Sequence, residues 1–204
     1  AYNFSINPLL AGGISFTTYC ATGDGGDEDS DGFCQALGDC NDDDNTMYPN
    51  NPEICDLKDN DCNGIIDDLA APLTNTWIAG SGNWNLVTNW SLGTLPERCH
   101  NVVINGSNGI TVTIPTGYIA KARSVTINTG TSLQVNATAS LEINYGLNID
   151  NQGTIINLGD IVIMNIIIPT LFGINNTGTI NNQSSGEILV QNSGARSFSN
   201  NAGG

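Results

Sequence analysis

The chain has 204 residues, with 20 acidic against 5 basic side chains and a formal net charge of -15 at pH 7. So few cations exclude the basic face that nucleic-acid-binding proteins present to phosphate groups. The length fits one large domain or two small ones, and the longest apolar run, residues 161–171, falls short of the roughly 20 residues of a membrane-spanning helix.

The first segment, residues 1–19, begins with the pattern of a strand. Tyr2, Phe4 and Ile6 alternate with polar residues, and no hairpin partner follows beside them. This strand pairs either within its own protomer or, by strand donation, with a neighbouring subunit. Donation to the opposite end of another copy does not close, so it would build an open homopolymer, head to tail.

The second segment is strongly acidic. Residues 24–68 hold fifteen carboxylates and a single cation, Lys58, for a net -14, whereas five acids and four cations elsewhere give -1. The few apolar side chains in this segment are too few to offset the conformational entropy of folding. It is therefore either a disordered linker or a module held together by metal ions.

Two stretches of this segment have the spacing of a calcium loop. Residues 27–32 read D-x-D-x-D-G and residues 59–64 read D-x-D-x-N-G. In such loops the oxygens at positions 1, 3 and 5 converge on one ion, and glycine at position 6 lets the next carbonyl point inward. Position 12 lacks the glutamate of an EF-hand, so Asp39, Asp67 or Asp68 must complete the shell.

A third carboxylate cluster, residues 39–44, lies between the two loops. Oxygen ligands without histidine favour several calcium ions over zinc or copper, and a solvated acidic run is the alternative. In the predicted ligand set Phe33 and Ile65 contribute backbone carbonyls. The set comprises Asp27, Asp29, Asp31, Phe33, Asp39, Asn41, Asp42, Asp43, Asp44, Asp56, Asp59, Asp61, Asn63, Ile65, Asp67 and Asp68.

Cysteines concentrate in the same region. Cys20, Cys34, Cys40, Cys55 and Cys62 lie in or beside it, and Cys99 follows later. The even count indicates an oxidising, extracellular compartment and up to three disulfides, whose pairing stays open among fifteen possibilities. We expect residues 20–70 to form a loop-rich module in which ions and disulfides replace a hydrophobic core.

The combined pattern of residues 29–33, 39–44, 48–56 and 59–68 resembles the MopE-type metal-binding repeat of secreted bacterial proteins. Leu57 stands where the family's C-D-G-x-D-N-D-C-D-G block has glycine. The resemblance implies a secreted metal-binding module. One member of the family is associated with copper, but the loops also resemble thrombospondin-type calcium repeats. Resemblance and ligand chemistry together favour calcium.

The third segment, residues 71–204, is all-β by its pattern. Short β-branched runs each end at Asn or Gly about every ten residues, and no stretch has helical periodicity. This spacing allows an antiparallel sandwich or a parallel solenoid. The predicted strands include residues 101–104, 110–114, 124–127, 132–135, 140–143 and 160–163.

An internal repeat favours the solenoid. Residues 151–157, N-Q-G-T-I-I-N, recur 25 positions later at residues 176–182 as N-T-G-T-I-N-N, and each copy precedes a second strand. Such repeats are typical of stacked coils, in which asparagine amides can stack along the axis. Residues 77–104 are also similar to the start of solenoids in secreted bacterial surface proteins. We therefore expect a right-handed parallel β-helix, with the sandwich as the alternative.

Three further features bear on function. Trp77, Trp84 and Trp90 either cap the open end of the sheet core or stack on sugar rings. Residues 97–100, Glu-Arg-Cys-His, form the one cluster of reactive groups and are interpreted as a polar turn, so we expect no enzyme. Six N-x-[ST] sequons offer weak evidence for glycan attachment, at Asn3, Asn89, Asn105, Asn136, Asn175 and Asn182.

These observations predict a non-catalytic extracellular structural protein. In it a calcium-stabilised module is joined to a β-rich rod, and the subunits polymerise head to tail into a bacterial surface fibre or matrix. The alternatives are an adhesin or carbohydrate-binding module, a polysaccharide-processing enzyme and a copper-binding protein.

Overall fold

The computed structural model of the chain describes residues 26–69, 72–106, 109–144, 147–164, 172–191 and 196–200. The strand predicted within residues 1–19 lies outside these residues. Residues 26–69 are loop-rich and contain no strand, only a 3-10 turn at Gln35–Leu37. A second 3-10 turn spans Val87–Asn89. No helix in the described ranges is long and apolar enough to cross a membrane.

Every strand of the described chain follows residue 72, as the alternating pattern predicts. The predicted strands at residues 101–104, 110–114 and 124–127 are confirmed to the residue. The full set is β1 (Thr74–Thr76), β2 (Gly82–Asn83), β3 (Asn101–Ile104), β4 (Ile110–Ile114), β5 (Ile119–Lys121), β6 (Ser124–Ile127), β7 (Thr131–Val135), β8 (Ser140–Asn144), β9 (Ile149–Asn151), β10 (Thr154–Asn157), β11 (Asp160–Met164), β12 (Phe172–Asn176), β13 (Thr179–Asn182), β14 (Glu187–Gln191) and β15 (Arg196–Asn200).

The strands form three parallel sheets that the chain visits in turn. The first sheet has the order β1-β3-β6-β9-β12-β15, the second β2-β4-β7-β10-β13 and the third β5-β8-β11-β14. Consecutive strands therefore pass from one sheet to the next, and the chain coils into a β-solenoid of about four turns. The expectation of a solenoid is confirmed. The sandwich is wrong, because the pairings between these strands are parallel.

The register explains the sequence repeat. Paired residues lie 20 to 30 positions apart, as Ser140 with Asp160 and Gly82 with Val112 show. Thr154 pairs with Thr179, so the two copies of the 25-residue repeat lie on adjacent strands, β10 and β13. Each copy stacks directly on the other, as expected for a coil that buries its face against the next one.

In the central strands, such as β4, β6 and β7, alternate side chains point into the solenoid and stack on their equivalents. Val102, Val125, Ile149 and Ile174 form one such stack in the first sheet, and all four are fully buried. Burying a side chain of this size contributes about 1.5 to 3 kcal/mol. Because the buried residues are apolar and β-branched, the coils stack as a continuous core.

Asparagine replaces the aliphatic side chains at two inward corners. Asn151 Nδ2 donates to Asn176 Oδ1 over 2.6 Å, and Asn157 Nδ2 donates to Asn182 Oδ1 over 2.8 Å. Asn151 and Asn157 are fully buried, so the amide ladder between coils satisfies donors that water cannot reach. The predicted stacking of asparagine amides along the axis is confirmed.

Three indoles close the N-terminal end of the core. Trp77, Trp84 and Trp90 are at most 1% exposed. The ring of Trp90 contacts both others edge to face, at centroid distances of 5.0 Å from Trp77 and 4.7 Å from Trp84. Their faces are therefore unavailable to a sugar ring, and the prediction that they cap the core is confirmed.

Glycine at the corners allows the coils to approach closely, and a substitution at Gly178 can test this. A Cβ there would lie 2.1 Å from the carbonyl oxygen of Gly153. We expect Gly178→Ala to lower the free energy of unfolding by about 1 to 3 kcal/mol, since backbone must move. Urea denaturation checks this. Gly80→Ala is the matched control, because a Cβ at Gly80 meets nothing within 4 Å, and an equal loss in both variants would contradict the packing argument.

Candidate metal centre

The first acidic loop is shaped by its own carboxylates. The Asp31 N–H donates to Asp27 Oδ1 and to Asp29 Oδ1, each over 3.1 Å. Gly32 N–H donates to Asp27 Oδ2 over 3.0 Å, and Phe33 N–H donates to Asp31 Oδ1 over 2.8 Å. Gly32 has φ +100°, the left-handed backbone that the predicted turn at position 6 requires.

The second loop repeats these four contacts position by position. Asn63 N–H donates to Asp59 Oδ1 and to Asp61 Oδ1, each over 3.1 Å. Gly64, with φ +89°, donates to Asp59 Oδ2 over 2.7 Å, and Ile65 N–H donates to Asn63 Oδ1 over 2.8 Å. Two loops with the same spacing thus take the same local structure, as the motif predicts.

Three carboxylates converge at the first loop, and the charge of a fourth, Asp39, acts on them. Oxygens of Asp27, Asp29 and Asp31 lie within 4.8 Å of one another. Burial raises the pKa of Asp29, and the charges of Asp31, Asp39 and Asp27 raise it further. Burial likewise raises the pKa of Asp39, and the charges of Asp31, Asp42 and Asp27 raise it further. We call the three loop aspartates and Asp39, whose charge acts on them from position 13 of the loop numbering, the first cluster. One Asp39 oxygen also lies within 4.8 Å of the sulfur atoms of Cys40 and Cys62.

The first cluster contains oxygens that lack donors. Asp29 Oδ2, Asp31 Oδ2 and Asp39 Oδ2 are buried and accept no hydrogen bond, and Asp39 as a whole is only 5% exposed. Buried anionic oxygens without donors are costly unless a cation lies among them. The first cluster thus has the donor set of a cation site.

A second cluster forms around the second loop. Oxygens of Glu53, Asp61 and Asp68 lie within 4.8 Å of one another. Glu53 Oε1 accepts the Asp61 N–H over 3.0 Å, whereas Glu53 Oε2 is buried without a partner. Burial is the main cause that raises the pKa of Glu53, and the charge of Asp61 also raises it. Asn63 Nδ2 donates to Asp61 Oδ2 and Asp68 Oδ2, so its amide nitrogen faces this cluster.

Glu53 was missed by the sequence reasoning. It lies outside the second loop, six residues before Asp59. One signal in the sequence could have found it. The second loop has Ala70 at position 12, so an acid from outside the loop is needed there. Glu53, in the preceding Pro52-Glu53-Ile54 stretch, is such an acid. Of the two other candidates for completing the second shell, Asp68 enters the cluster and Asp67 does not.

Several predicted ligands also accept hydrogen bonds from protein groups. Asp67 is 3% exposed, and its Oδ1 accepts the N–H groups of Asp56 and Leu57 over 3.0 and 3.1 Å. Its Oδ2 accepts from Arg98 Nε over 3.0 Å. Each oxygen of Asp67 therefore has at least one donor from the protein. Asp56 Oδ1 accepts the N–H of Lys58 over 3.0 Å, which closes the same turn.

Asp44 is likewise held by donors of the module. Its Oδ2 forms an ion pair with Lys58 Nζ, and its Oδ1 accepts from Thr46 Oγ1 over 2.7 Å. The Lys58 ammonium, with help from the Thr46 hydroxyl, lowers the pKa of Asp44 to about 2. Three more predicted ligands lie close to Asp44 in sequence. Asp42 accepts the Glu28 N–H over 3.3 Å, and the Asn41 N–H donates to Asp39 over 2.7 Å. Asp43 is exposed.

Disulfides connect the two clusters with each other and with the solenoid. Cys40 follows Asp39 of the first cluster and is bonded to Cys62, which follows Asp61 of the second. Cys55 is bonded to Cys99, which lies between β2 and β3. Cys34 is also disulfide-bonded. The predicted disulfides are confirmed, and these two pairings select among the fifteen possibilities.

A buried asparagine takes the place of a hydrophobic core in the module. Asn60 is fully buried: its Oδ1 accepts the Ile54 N–H over 3.0 Å, and its Nδ2 donates to the Thr46 carbonyl over 2.9 Å. Phe33 and Tyr48 stack with centroids 5.3 Å apart. The module therefore folds around hydrogen bonds, one ring pair and its disulfides, which agrees with its composition.

Residues 97–100 belong to the junction between module and solenoid. Cys99 and Arg98 are engaged by Cys55 and Asp67, as described above. His100 Nδ1 accepts the N–H of Glu97 over 3.0 Å, and burial lowers the pKa of His100. Nearby, burial lowers the pKa of Arg123, which is 8% exposed, while the charge of Asp68 in the second cluster opposes that shift. The predicted polar turn is thus also a structural joint.

Comparison with known proteins agrees with the position of the acidic loops. Residues 39–68 match the family model Cu-binding_MopE, described as a "Putative metal-binding motif". The match covers the second loop, Glu53 and Asp39, but not the first loop. No curated protein and no solved structure matches the chain. What is shown is a MopE-like metal-binding motif followed by a β-solenoid.

Leu57, at the position of the family's glycine, has φ +69°. A side chain costs about 1 to 2 kcal/mol in this left-handed region, and glycine costs about 0.5 to 1 kcal/mol in unfolded-state entropy. We expect Leu57→Gly to raise the free energy of unfolding by about 0.5 to 1 kcal/mol in urea denaturation. Leu86→Gly is the control, because exposed Leu86 has φ -111° and should lose stability. A lower free energy of unfolding in Leu57→Gly would contradict backbone strain at Leu57.

Proposed function

We propose that this chain is a non-catalytic extracellular structural protein whose acidic module is stabilised by calcium. The observation that carries the proposal is the presence of four buried carboxylate oxygens without donors, on Asp29, Asp31, Asp39 and Glu53, within two clusters. Such oxygens are explained if a divalent cation binds each cluster. The ions would then do for residues 26–69 what the aliphatic core does for the solenoid.

The ligand chemistry supports calcium over copper. The clusters supply carboxylate oxygens, which hard cations prefer, and the single histidine of the chain, His100, lies outside the module. Cys40 and Cys62 lie near Asp39 but are bonded to each other, so no thiolate is available there for a soft metal. The family name points to copper, which makes copper the competitor to test.

The disulfides and the joint support an extracellular, mechanical role. Disulfides persist in oxidising compartments. Two contacts attach the module to the rod, the disulfide Cys55–Cys99 and the ion pair Asp67–Arg98. A force on the module is therefore transmitted to the rod. The absence of catalysis is supported by the engagement of Arg98, Cys99 and His100 in structural contacts.

Calcium binding has a direct test in isothermal titration and in urea denaturation with calcium or EDTA. Extracellular modules bind calcium with Kd of about 10⁻⁴ to 10⁻³ M, and a hundredfold excess over Kd would stabilise the module by about 2.7 kcal/mol. Asp39→Asn should raise the Kd of one site about tenfold, equivalent to about 1.4 kcal/mol. Asp43→Asn is the matched control, because Asp43 is exposed and lies in neither cluster. Equal stability in calcium and EDTA, or displacement of calcium by equimolar copper, would refute the proposal.

We further propose that copies polymerise head to tail. The solenoid supports this, because β13, β14 and β15 are the last strands of their sheets among the residues described. Each presents an edge that can pair with another strand. At this end Ile180, Ile188 and Val190 are only partly buried, although they continue stacks whose earlier members are fully buried.

Polymerisation is tested by negative-stain electron microscopy and light scattering in millimolar calcium. We expect fibres from the full chain, and monomers from a variant that lacks residues 1–19, because the donated strand is then missing. The control is the variant Gly80→Ala, which leaves both ends intact. Fibres from the truncated variant, or a full chain that stays monomeric at high concentration, would contradict strand donation.

A further inference from the structure

We infer that the strand donated by a neighbouring copy, residues 2–6, pairs with the edge of β14 and not with the edges of β13 or β15. This inference rests on the proposed head-to-tail polymer and names the acceptor within it. The argument depends on which inward side chains each sheet stacks, because an added strand must continue the stack of its own sheet.

The edges of β13 and β15 continue coils that carry asparagine at the second inward position. In the first sheet, from β9 onward, an aliphatic residue is followed two positions later by asparagine, as in Ile149 with Asn151 and Ile174 with Asn176, whereas β3 and β6 have Ile104 and Ile127 there. The second sheet repeats this with Ile155 and Asn157. Asn151 and Asn157 donate their amides to the next coil, whereas Asn182 on β13 donates to the Gly186 carbonyl of its own coil. A strand that continued these ladders at β13 or β15 would present another asparagine at that place.

The third sheet stacks only aliphatic side chains at its two inward positions. Leu141, Ile161 and Ile188 form one stack, and β8, β11 and β14 contribute Ile143, Ile163 and Val190 to the other. Ile161 and Ile163 are fully buried, whereas Ile188 and Val190 on the last strand are only partly buried. A strand added to β14 must therefore carry two apolar residues separated by one position.

The predicted donor strand has the second pattern and lacks the first. Tyr2, Phe4 and Ile6 supply apolar side chains at alternate positions. Asn3 within the strand and Asn7 just after it are preceded two positions earlier by Ala1 and Ser5, which are too small to continue an aliphatic stack. The pattern thus fits the edge of β14 and conflicts with the amide ladders of the other two edges.

Charge and reach agree with this assignment. Asp160 and Glu187 are adjacent at the start of β11 and β14, so a third carboxylate would be repelled there. Residues 1–23 contain no charged side chain. Thirteen residues separate Ile6 from the module, which begins at Cys20, and the chain from Ile6 to Cys20 extends up to roughly 46 to 50 Å. This is longer than a sheet of six strands, whose stack measures about 24 Å. The donor can therefore reach a neighbouring solenoid.

Cysteine cross-linking tests the acceptor edge. Between the inward positions, Ser5 of the donor and Leu189 of β14 face outward and would lie side by side. In Ser5→Cys/Leu189→Cys chains assembled in calcium, a short bis-maleimide should give a ladder of covalent oligomers on denaturing gels. The matched pairs, Ser5→Cys/Asn181→Cys for β13 and Ser5→Cys/Ser199→Cys for β15, should give at most a tenth of that yield. Mixing singly substituted chains should give covalent dimers only for Ser5→Cys with Leu189→Cys.

The possible outcomes separate this inference from the proposed function. Fibres whose cross-links favour β13 or β15, or that give no cross-link with Leu189→Cys, would overturn the inference and leave the polymer intact. A cross-link confined within single chains would also overturn it. If the unsubstituted chain forms no fibres in calcium, the polymer itself fails and the inference fails with it.

Discussion

Repulsion among buried carboxylates is the constraint on which the acidic module depends. The loops turn because aspartate side chains accept their own backbone N–H groups, and these turns bring further carboxylate oxygens together. Asp29, Asp31 and Asp39 are left with buried oxygens that face no donor, and burial already raises the pKa of Asp29 and Asp39. A bound cation would relieve the desolvation and the repulsion together, which links this geometry to the proposed role of calcium.

The module and the solenoid satisfy buried polar groups by different means but share a joint. The solenoid pairs its backbone in parallel ladders and its inward amides with one another, so its rigidity is continuous from coil to coil. Residues 26–69 of the module form no strand ladder and rely on disulfides and side-chain turns. Cys55–Cys99 and Asp67–Arg98 attach one to the other. Burial lowers the pKa of Arg123 of the solenoid, and the charge of the Asp68 carboxylate, which belongs to the second cluster, opposes that shift. Cation binding to the second cluster would therefore act next to the joint.

Local spacing predicted much of the candidate site, and distant residues escaped it. Both loops fold as their six-residue motifs indicate, because every contact within them spans at most five positions. Glu53 was missed, since it approaches Asp61 from outside the loop. Asp44 and Asp67 were predicted as ligands, although Lys58 and Arg98 bind them. Spacing cannot show which acids meet a cation of the protein, because those partners are 14 and 31 positions away along the chain.

The sequence by itself determined the class of each part. Alternation of apolar residues and the 25-residue recurrence of asparagine were enough to predict stacked coils, because the period of a strand and the repeat of a coil are local properties. Only the tertiary structure decided which acids cluster, how Cys40, Cys55, Cys62 and Cys99 pair, and that the indoles are buried. These depend on contacts between distant segments, and many arrangements of one composition satisfy the same local rules.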